Sequence, residues 1–161
     1  MPFNTLLLSC LQYGTSVTQK NVSVRAIPQK GETILFFKTD SEIACKDLHI
    51  MAGEPVCDYL VFYTKDGKTV LCLVELKGND TDHAIEQVLI TYQHMQNQLS
   101  ELRGKACWSP IQQITWKAYV CCSAKSSISP TKLYAARLGK TFKKGNFKIT
   151  HEDELGEFLR K

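Results

Sequence analysis

The spacing of apolar residues changes along the chain, and each spacing predicts a different secondary structure. Alternating apolar residues over 17–39 predict strands, with Gly31 marking a turn between them. Residues 3–12 are predicted to form a short helix. The pattern over 41–51 fits a helix or a strand equally, so it leaves both open. The first third of the chain is therefore predicted to supply mainly strands.

Two longer apolar runs, over residues 57–64 and 69–77, flank the polar residues 65–68. The pair Asp66-Gly67 lies at the centre of this polar segment, and Asp-Gly between two apolar runs is a strong signal for a β-hairpin. Both runs carry apolar residues at odd and at even positions. Such strands are typical of the middle of a sheet that is covered on both faces.

A long helix is predicted to begin after this hairpin, with Asp80 or Thr81 as its N-cap and Gly104 at its end. Its core-facing residues recur at spacings of three and four: Ala84, Val88, Tyr92, Met95, Leu99 and Leu102. The rest of the chain is predicted to form a strand, a helix, a strand and a helix over 115–123, 130–138, 147–150 and 152–159. Strands and helices that alternate in this way predict an α/β sandwich.

The length of 161 residues and the hydrophobic fraction of 43% are those of one domain with a substantial core. We therefore expect a single domain over 1–161, with its core at about 55–150 and residues 1–54 as an N-terminal elaboration. The apolar run at 6–8 is too short for a secretory or membrane-spanning segment, and no basic residue precedes it. A cytoplasmic location without membrane association is expected.

The seven cysteines have no Cys-x-x-Cys pair, and the histidines do not lie near them in the pattern that a zinc or iron–sulfur site would require. They are predicted to be reduced, buried, small hydrophobic residues.

Charge is distributed unevenly, although the net charge is only +4. From Arg103 to His151 the chain has ten Lys or Arg residues and no Asp or Glu, whereas residues 1–102 hold eight Lys or Arg against twelve Asp or Glu. Such a distribution is expected where carboxylates hold a metal and lysines bind a polyanion. A basic surface that is merely solvated is the alternative.

The predicted hairpin also fixes which residues face each other, because the numbers of partners across Asp66-Gly67 sum to 133. Asp58 is thus predicted to face Glu75, with their Cβ atoms about 4.5–5.5 Å apart, and Lys77 projects from the same face. Two facing carboxylates in an apolar sheet destabilise it unless something compensates their charge. A divalent cation would do so. The alternative is that Lys77 only forms a salt bridge at the end of the hairpin.

A cation held in this way would polarise a phosphodiester and lower the pKa of a bound water. Lys77 would hold that water or stabilise developing negative charge. The trio of Asp58, Glu75 and Lys77 is therefore predicted to hydrolyse phosphodiesters by in-line attack.

Three features follow one another over about residues 55–100: an acid near the start of one strand, Glu-x-Lys at the end of the next, and a helix that carries Gln87. Together they resemble the PD-(D/E)xK nuclease superfamily. The resemblance implies a restriction-endonuclease-like mixed central β-sheet flanked by helices on both faces. It also implies an enzyme that depends on Mg²⁺ or Mn²⁺ and cleaves DNA. By the same resemblance, Asp58, Glu75 and the carbonyl of Leu76 would be metal ligands, Lys77 the catalytic lysine, and Gln87 an active-site residue.

The chain departs from the superfamily pattern at two points. Pro55 lies three residues before Asp58 instead of beside it. Many members also carry a glutamate on an early helix, and Glu42 is the candidate for that position. Gln87 has an alternative role as a solvated residue on the flank of its helix.

The acid-free region is expected to contact the DNA backbone, which positions a duplex without reading its sequence. The candidate contacts are Lys125, Lys132, Arg137, Lys143 and Lys144. We expect an endonuclease that acts on duplex or branched DNA without sequence specificity, with a homodimer as a candidate assembly. The alternatives are a noncatalytic nucleic-acid-binding module of the same fold and an α/β domain whose basic half docks an acidic protein.

Overall fold

The computed structural model describes residues 8–103 and 114–161. The strands in this part of the chain are β1 (Leu11–Gln12), β2 (Ser16–Gln19), β3 (Val22–Arg25), β4 (Thr33–Lys38), β5 (Tyr59–Lys65), β6 (Lys68–Lys77), β7 (Ile114–Cys122) and β8 (Phe147–Thr150). The α-helices are α1 (Glu42–Asp47), α2 (Thr81–Arg103), α3 (Lys132–Phe142) and α4 (Leu155–Arg160). A short 3₁₀ turn at Leu8–Cys10 precedes β1.

Six strands form one mixed sheet in the order β1-β4-β5-β6-β7-β8. The first four in this order pair antiparallel, whereas β6 pairs parallel with β7, and β7 pairs parallel with β8. Parallel neighbours need a crossover connection, and α2 and α3 lie in the two crossovers. The expected mixed sheet with helices, and with it the α/β class, is confirmed.

Both faces of the sheet are buried, as the apolar hairpin strands predicted. One face, which includes Leu60, Leu71 and Leu73, packs against residues of α1, α2 and α3. The opposite face, which includes Val61 and Val70, packs against α4 and against the two-stranded β2–β3 sheet. We call these the α2 face and the α4 face. Asp58, Glu75 and Lys77 alternate with the α4-face residues, so they belong to the α2 face.

The N-terminal helix predicted over 3–12 is wrong in its described part, because Leu8–Cys10 forms a 3₁₀ turn and Leu11–Gln12 forms β1. The pairing of β1 with Phe36 and Phe37 of β4 stabilises a strand that local sequence does not favour. Residues 1–7 and Gly104 lie outside the described part. The ambiguous segment 41–51 contains a helix, α1, whose N-cap Ser41 accepts a hydrogen bond from the amide of Ala44.

The helix α4 is held on its face by charged side chains. Lys117 of β7 is only 1% exposed and donates a 2.7 Å hydrogen bond to the carbonyl of Phe158. Arg160 forms hydrogen bonds of 2.9 Å to both carboxylate oxygens of Glu32. Lys117 therefore does not contribute to a basic surface, although it lies in the acid-free region.

The cysteines of the described part, all but Cys107, are free thiols, and all of these except Cys45 are buried. Across residues 8–103 and 114–161, no helix combines the length and the apolar character needed to cross a bilayer.

Candidate active site

The two hairpin strands are joined by a two-residue turn at Asp66 and Gly67, with φ values of 47° and 80°. Two positive φ values define a type I′ turn, which keeps the strands in a fixed register. The residue numbers of paired residues on β5 and β6 sum to 133, from Lys65↔Lys68 to Tyr59↔Val74. The same register, continued by one position beyond the last pair, sets Asp58 opposite Glu75. Since hydrogen-bonded and non-hydrogen-bonded pairs alternate from the turn, this is a non-hydrogen-bonded position, where facing residues approach most closely.

The two carboxylates are bound to backbone amides of the opposite strand. The amide of Asp58 donates to Oε2 of Glu75 over 3.1 Å, and the amide of Leu76 donates to Oδ2 of Asp58 over 2.8 Å. Asp58 is 6% exposed and Glu75 is 2% exposed. The second oxygens, Oδ1 of Asp58 and Oε1 of Glu75, accept no hydrogen bond from the described residues. Oδ1 of Asp58 and Oε1 of Glu75 are thus left without a backbone donor, and Oε1 of Glu75 lies 3.7 Å from the Nζ of Lys77.

Lys77 and Gln87 complete the cluster. The Nζ of Lys77 lies 3.7 Å from Oε1 of Glu75 and donates a 2.7 Å hydrogen bond to Oε1 of Gln87. The Nε2 of Gln87 in turn donates over 2.7 Å to the carbonyl of Val56. The structure therefore brings together Asp58, Glu75, Lys77 and Gln87. The glutamine uses both ends of its amide inside the cluster instead of merely solvating its helix.

Burial disfavours the charged forms of both carboxyl groups. It raises the pKa of Glu75 to about 8, with a further contribution from the negative charge of Asp58, while Lys77 opposes the shift. Burial also raises the pKa of Asp58, against the amide of Leu76 and the charge of Lys77. A cluster of two acids and one lysine in this environment favours the uptake of a proton or another cation.

Asp40, which sequence reasoning missed, lies next to the pair. Its amide is 3.5 Å from the carbonyl of Asp58, and its negative charge raises the pKa of both Asp58 and Glu75. Glu42, the early-helix candidate, is exposed in the first turn of α1. The only signal for Asp40 would have been the pairing of β4 with β5, because Asp40 follows β4 where β5 begins.

A second missed residue is Lys20, at the tip of the β2–β3 hairpin, whose positive charge lowers the pKa of Asp58. Lys20 and Asn21 both have positive φ, as a two-residue hairpin turn requires. The hairpin that covers the α4 face thus also brings a positive charge within electrostatic reach of Asp58.

The donor atoms present are of the kind that Mg²⁺ and Mn²⁺ bind. Oδ1 of Asp58 and Oε1 of Glu75 are hard carboxylate oxygens, and Mg²⁺ commonly uses one or two carboxylates together with water and substrate phosphate. The peptide of Leu76 points its N–H toward Asp58. Because the N–H and C=O of one strand residue point the same way, its carbonyl faces the same edge. Residues 8–103 and 114–161 contain no group of three or more His, Cys, Asp or Glu side chains that could hold a metal.

The predicted DNA contacts fall into two groups. Lys125 follows β7, where the amide of Ser123 donates to the carbonyl of Lys77, and Lys132 begins α3, which Asp82 holds through the amide of Thr131. Both are exposed at the end of the sheet that carries the cluster.

The other predicted contacts lie farther from the carboxylates. Arg137 is in the middle of α3, with its guanidinium 5.4 Å from the ring centre of Tyr134. Lys143 and Lys144 precede β8, whose first residue pairs with Ala118. They therefore lie toward the start of the parallel strands, whereas Glu75 lies toward their end.

Comparisons of the chain with protein-family models, with curated proteins and with solved structures found no match.

Proposed function

We propose that this chain is a Mg²⁺- or Mn²⁺-dependent phosphodiesterase that cleaves DNA. One observation carries the proposal: Asp58 and Glu75 lie side by side and buried, each with one carboxylate oxygen that accepts no hydrogen bond from the described residues, and Lys77 lies 3.7 Å from that oxygen of Glu75. Burying two like charges is unfavourable without compensation. A purely structural role would be served better by apolar side chains, whereas metal-dependent hydrolysis needs these groups.

Each member of the cluster has a role in the proposed reaction. A bound divalent cation would supply Lewis acidity and a water of lowered pKa. Asp58 and Glu75 would hold the cation, with the Leu76 carbonyl as a further ligand. Lys77 would bind the attacking water or stabilise negative charge as it develops on the phosphate. Gln87 fixes the amine of Lys77, so that the amine does not have to be ordered during the reaction.

The fold supports a restriction-endonuclease-like arrangement as part of the proposal. A mixed sheet with helices on both faces is what the resemblance implies, and the acids lie where an antiparallel hairpin meets parallel β7. DNA as the substrate is favoured by the exposed Lys125 and Lys132 at the same end of the sheet. Lysines at these positions would contact phosphates on either side of the cut.

The test is to incubate plasmid, linear and branched DNA with the protein and Mg²⁺ or Mn²⁺. The variants Asp58→Asn, Glu75→Gln and Lys77→Met remove charge with little change in shape. Glu86→Gln and Lys30→Met are the matched controls, since Glu86 pairs with His83 on α2 and Lys30 is exposed in a turn. We expect the site variants to lose at least about a hundredfold in cleavage rate and the controls to keep it.

Three results would contradict the proposal in different ways. No cleavage by the wild type with either metal would exclude the nuclease. Equal cleavage by the wild type and the site variants would place the chemistry elsewhere. Salt-dependent DNA binding without cleavage would favour a noncatalytic nucleic-acid-binding module, and no binding at all would favour a partner-binding domain.

A further inference from the structure

The ladder between β5 and β6 ends one hydrogen-bonded pair earlier than the register of its turn predicts. In a hairpin with a two-residue turn, the closing pair Lys65/Lys68 is hydrogen-bonded, and every second pair after it is hydrogen-bonded too. Cys57 and Leu76 lie four of these two-residue steps beyond Lys65/Lys68. They would therefore form the next hydrogen-bonded pair after Tyr59/Val74. The described pairing nevertheless ends at Tyr59↔Val74.

Two buried threonines take the backbone groups of Cys57 instead. The amide of Cys57 donates to Oγ1 of Thr91 on α2 over 2.9 Å, and its carbonyl accepts a hydrogen bond from Oγ1 of Thr39, which follows β4. Thr39 and Thr91 are both 0% exposed. The amide of Thr39 also donates over 3.0 Å to the carbonyl of Asp58. A residue of α2 and a residue just after β4 thus hold the chain before β5.

The hydroxyl of Thr91 both donates and accepts in this arrangement. It donates over 2.7 Å to the carbonyl of Gln87, one helical turn earlier, and therefore meets the amide of Cys57 as an acceptor. A buried hydroxyl is costly unless it makes hydrogen bonds, so packing alone would favour valine at this position. The hydroxyl also connects the anchor of Cys57 to the helix turn that carries Gln87.

The missing pair between Cys57 and Leu76 changes the hydrogen-bond partners of the Leu76 backbone. Its N–H, which the ladder would give to the carbonyl of Cys57, goes to Oδ2 of Asp58. Its C=O loses the amide of Cys57 as a ladder partner, because Thr91 binds that amide. The N–H and the C=O of Leu76 are thereby left to the acidic cluster.

We propose that Thr39 and Thr91 are positioning residues that hold Cys57 out of the β5–β6 ladder, and so present the Leu76 carbonyl and the Asp58 carboxylate together to a divalent cation. The cation belongs to the proposed function, on which this inference rests. The two threonines contact neither substrate nor metal and act through Cys57. Removing either hydroxyl would let Cys57 pair with Leu76 and withdraw a ligand.

The experiment compares Thr91→Val and Thr39→Val with the serine variants Thr91→Ser and Thr39→Ser. Thr141→Val is the matched control, because Thr141 makes the same hydrogen bond to a carbonyl one turn earlier, that of Arg137, on the exposed side of α3. Mn²⁺ affinity is measured by calorimetry without DNA. The exchange rate of the Cys57 amide hydrogen is measured by NMR in the metal-free protein.

We expect each valine variant to bind Mn²⁺ about 10–100-fold more weakly, as is usual when a residue that orients a ligand is lost. Thr91→Val should also change the exchange rate of the Cys57 amide. Serine variants should restore Mn²⁺ affinity to within a few-fold, and Thr141→Val should leave it unchanged. If one valine variant fails to fold, the other decides the result.

Valine variants that bind Mn²⁺ like the wild type would overturn the inference, even if they melt at a lower temperature. A wild-type protein that binds no Mn²⁺ would overturn the proposed metal site as well. The exchange measurement separates the failure of the inference from the failure of the proposed metal site. It reports whether Thr91 holds Cys57, and it does so even if no metal binds.

Discussion

The Nζ of Lys77 donates a 2.7 Å hydrogen bond to Oε1 of Gln87, and the same amide group donates through Nε2 to the carbonyl of Val56. Gln87 therefore connects the lysine at the end of β6 to the chain that enters β5. An amine fixed at two sides, by Gln87 and by Glu75, has little freedom to turn away from the carboxylates.

Gln87→Met should lower kcat for DNA cleavage about tenfold, which corresponds to ~1.4 kcal/mol of transition-state stabilisation, because the amine of Lys77 loses its fixed position. Mn²⁺ affinity should stay close to the wild-type value, since Gln87 contacts neither carboxylate oxygen. Gln93→Met, at an exposed position of the same helix, is the control. An unchanged kcat in Gln87→Met would mean that Lys77 needs no such support.

Glu75→Gln should remove a pH dependence from the stability of the metal-free protein. Burial raises the pKa of Glu75 from 4.5 to about 8, so the folded state holds the proton more tightly than the unfolded state. The contribution of this protonation to the free energy of unfolding is fully present below pH 4.5 and is lost as the pH rises toward about 8. Each unit of pKa shift corresponds to about 1.4 kcal/mol, so a few kcal/mol should be lost in the wild type.

The measurement is urea unfolding in EDTA at several pH values between 4.5 and 9. Glu86→Gln, whose carboxylate is partly exposed on α2, should behave like the wild type. A wild-type curve that does not fall relative to that of Glu75→Gln would show that Glu75 is not held in its protonated form.

Lysines at the two ends of the sheet should differ in their effect on DNA binding. Lys125 and Lys132 lie at the end that carries the carboxylates, whereas Lys143 and Lys144 lie toward the other end. In a Glu75→Gln background that does not cut, replacing the first pair by alanine should reduce the slope of log K against log salt by about two. Replacing the second pair should change it less. Equal losses would show that DNA extends along the whole sheet.

Glu32→Gln should flatten the loss of stability in acid. Hydrogen bonds from Arg160 lower the pKa of Glu32 to about 2, so this carboxylate stabilises the fold above its ordinary value of 4.5 and ceases to do so as the pH falls through about 2. Thermal unfolding at pH 7, 4 and 2.5 tests this, with exposed Glu157→Gln as the control. If wild type and Glu32→Gln lose the same stability between pH 7 and 2.5, the ion pair does not hold α4.

The hairpin was predictable because its determinants are local. Asp66-Gly67 adopts a two-residue turn, and that turn sets the register of the two strands from Lys65↔Lys68 to Tyr59↔Val74. The facing of Asp58 and Glu75, and the common face of Lys77, follow from residues at most 19 positions apart. The long helix after the hairpin was predictable for the same reason, since its apolar stripe and Asp80 lie within its own segment.

The surroundings of the acids were not predictable, because they come from distant elements. Asp40 reaches the pair only through the pairing of β4 with β5, and Lys20 only through the packing of the β2–β3 hairpin. The burial of Lys117 depends on α4, whose Phe158 is 41 positions away. Sequence periodicity gives the face of a residue but not the element that covers it.

The sequence by itself determined which side chains carry the candidate chemistry, because one local turn fixes the register of Asp58, Glu75 and Lys77. Tertiary structure alone decided how the cluster is held. Thr39 and Thr91 end the ladder at Cys57 from 18 and 34 positions away, and the same folding places Lys125 and Lys132 at one end of the sheet and Lys143 and Lys144 toward the other. These contacts depend on the packing of whole elements, which no spacing of residues within one segment encodes.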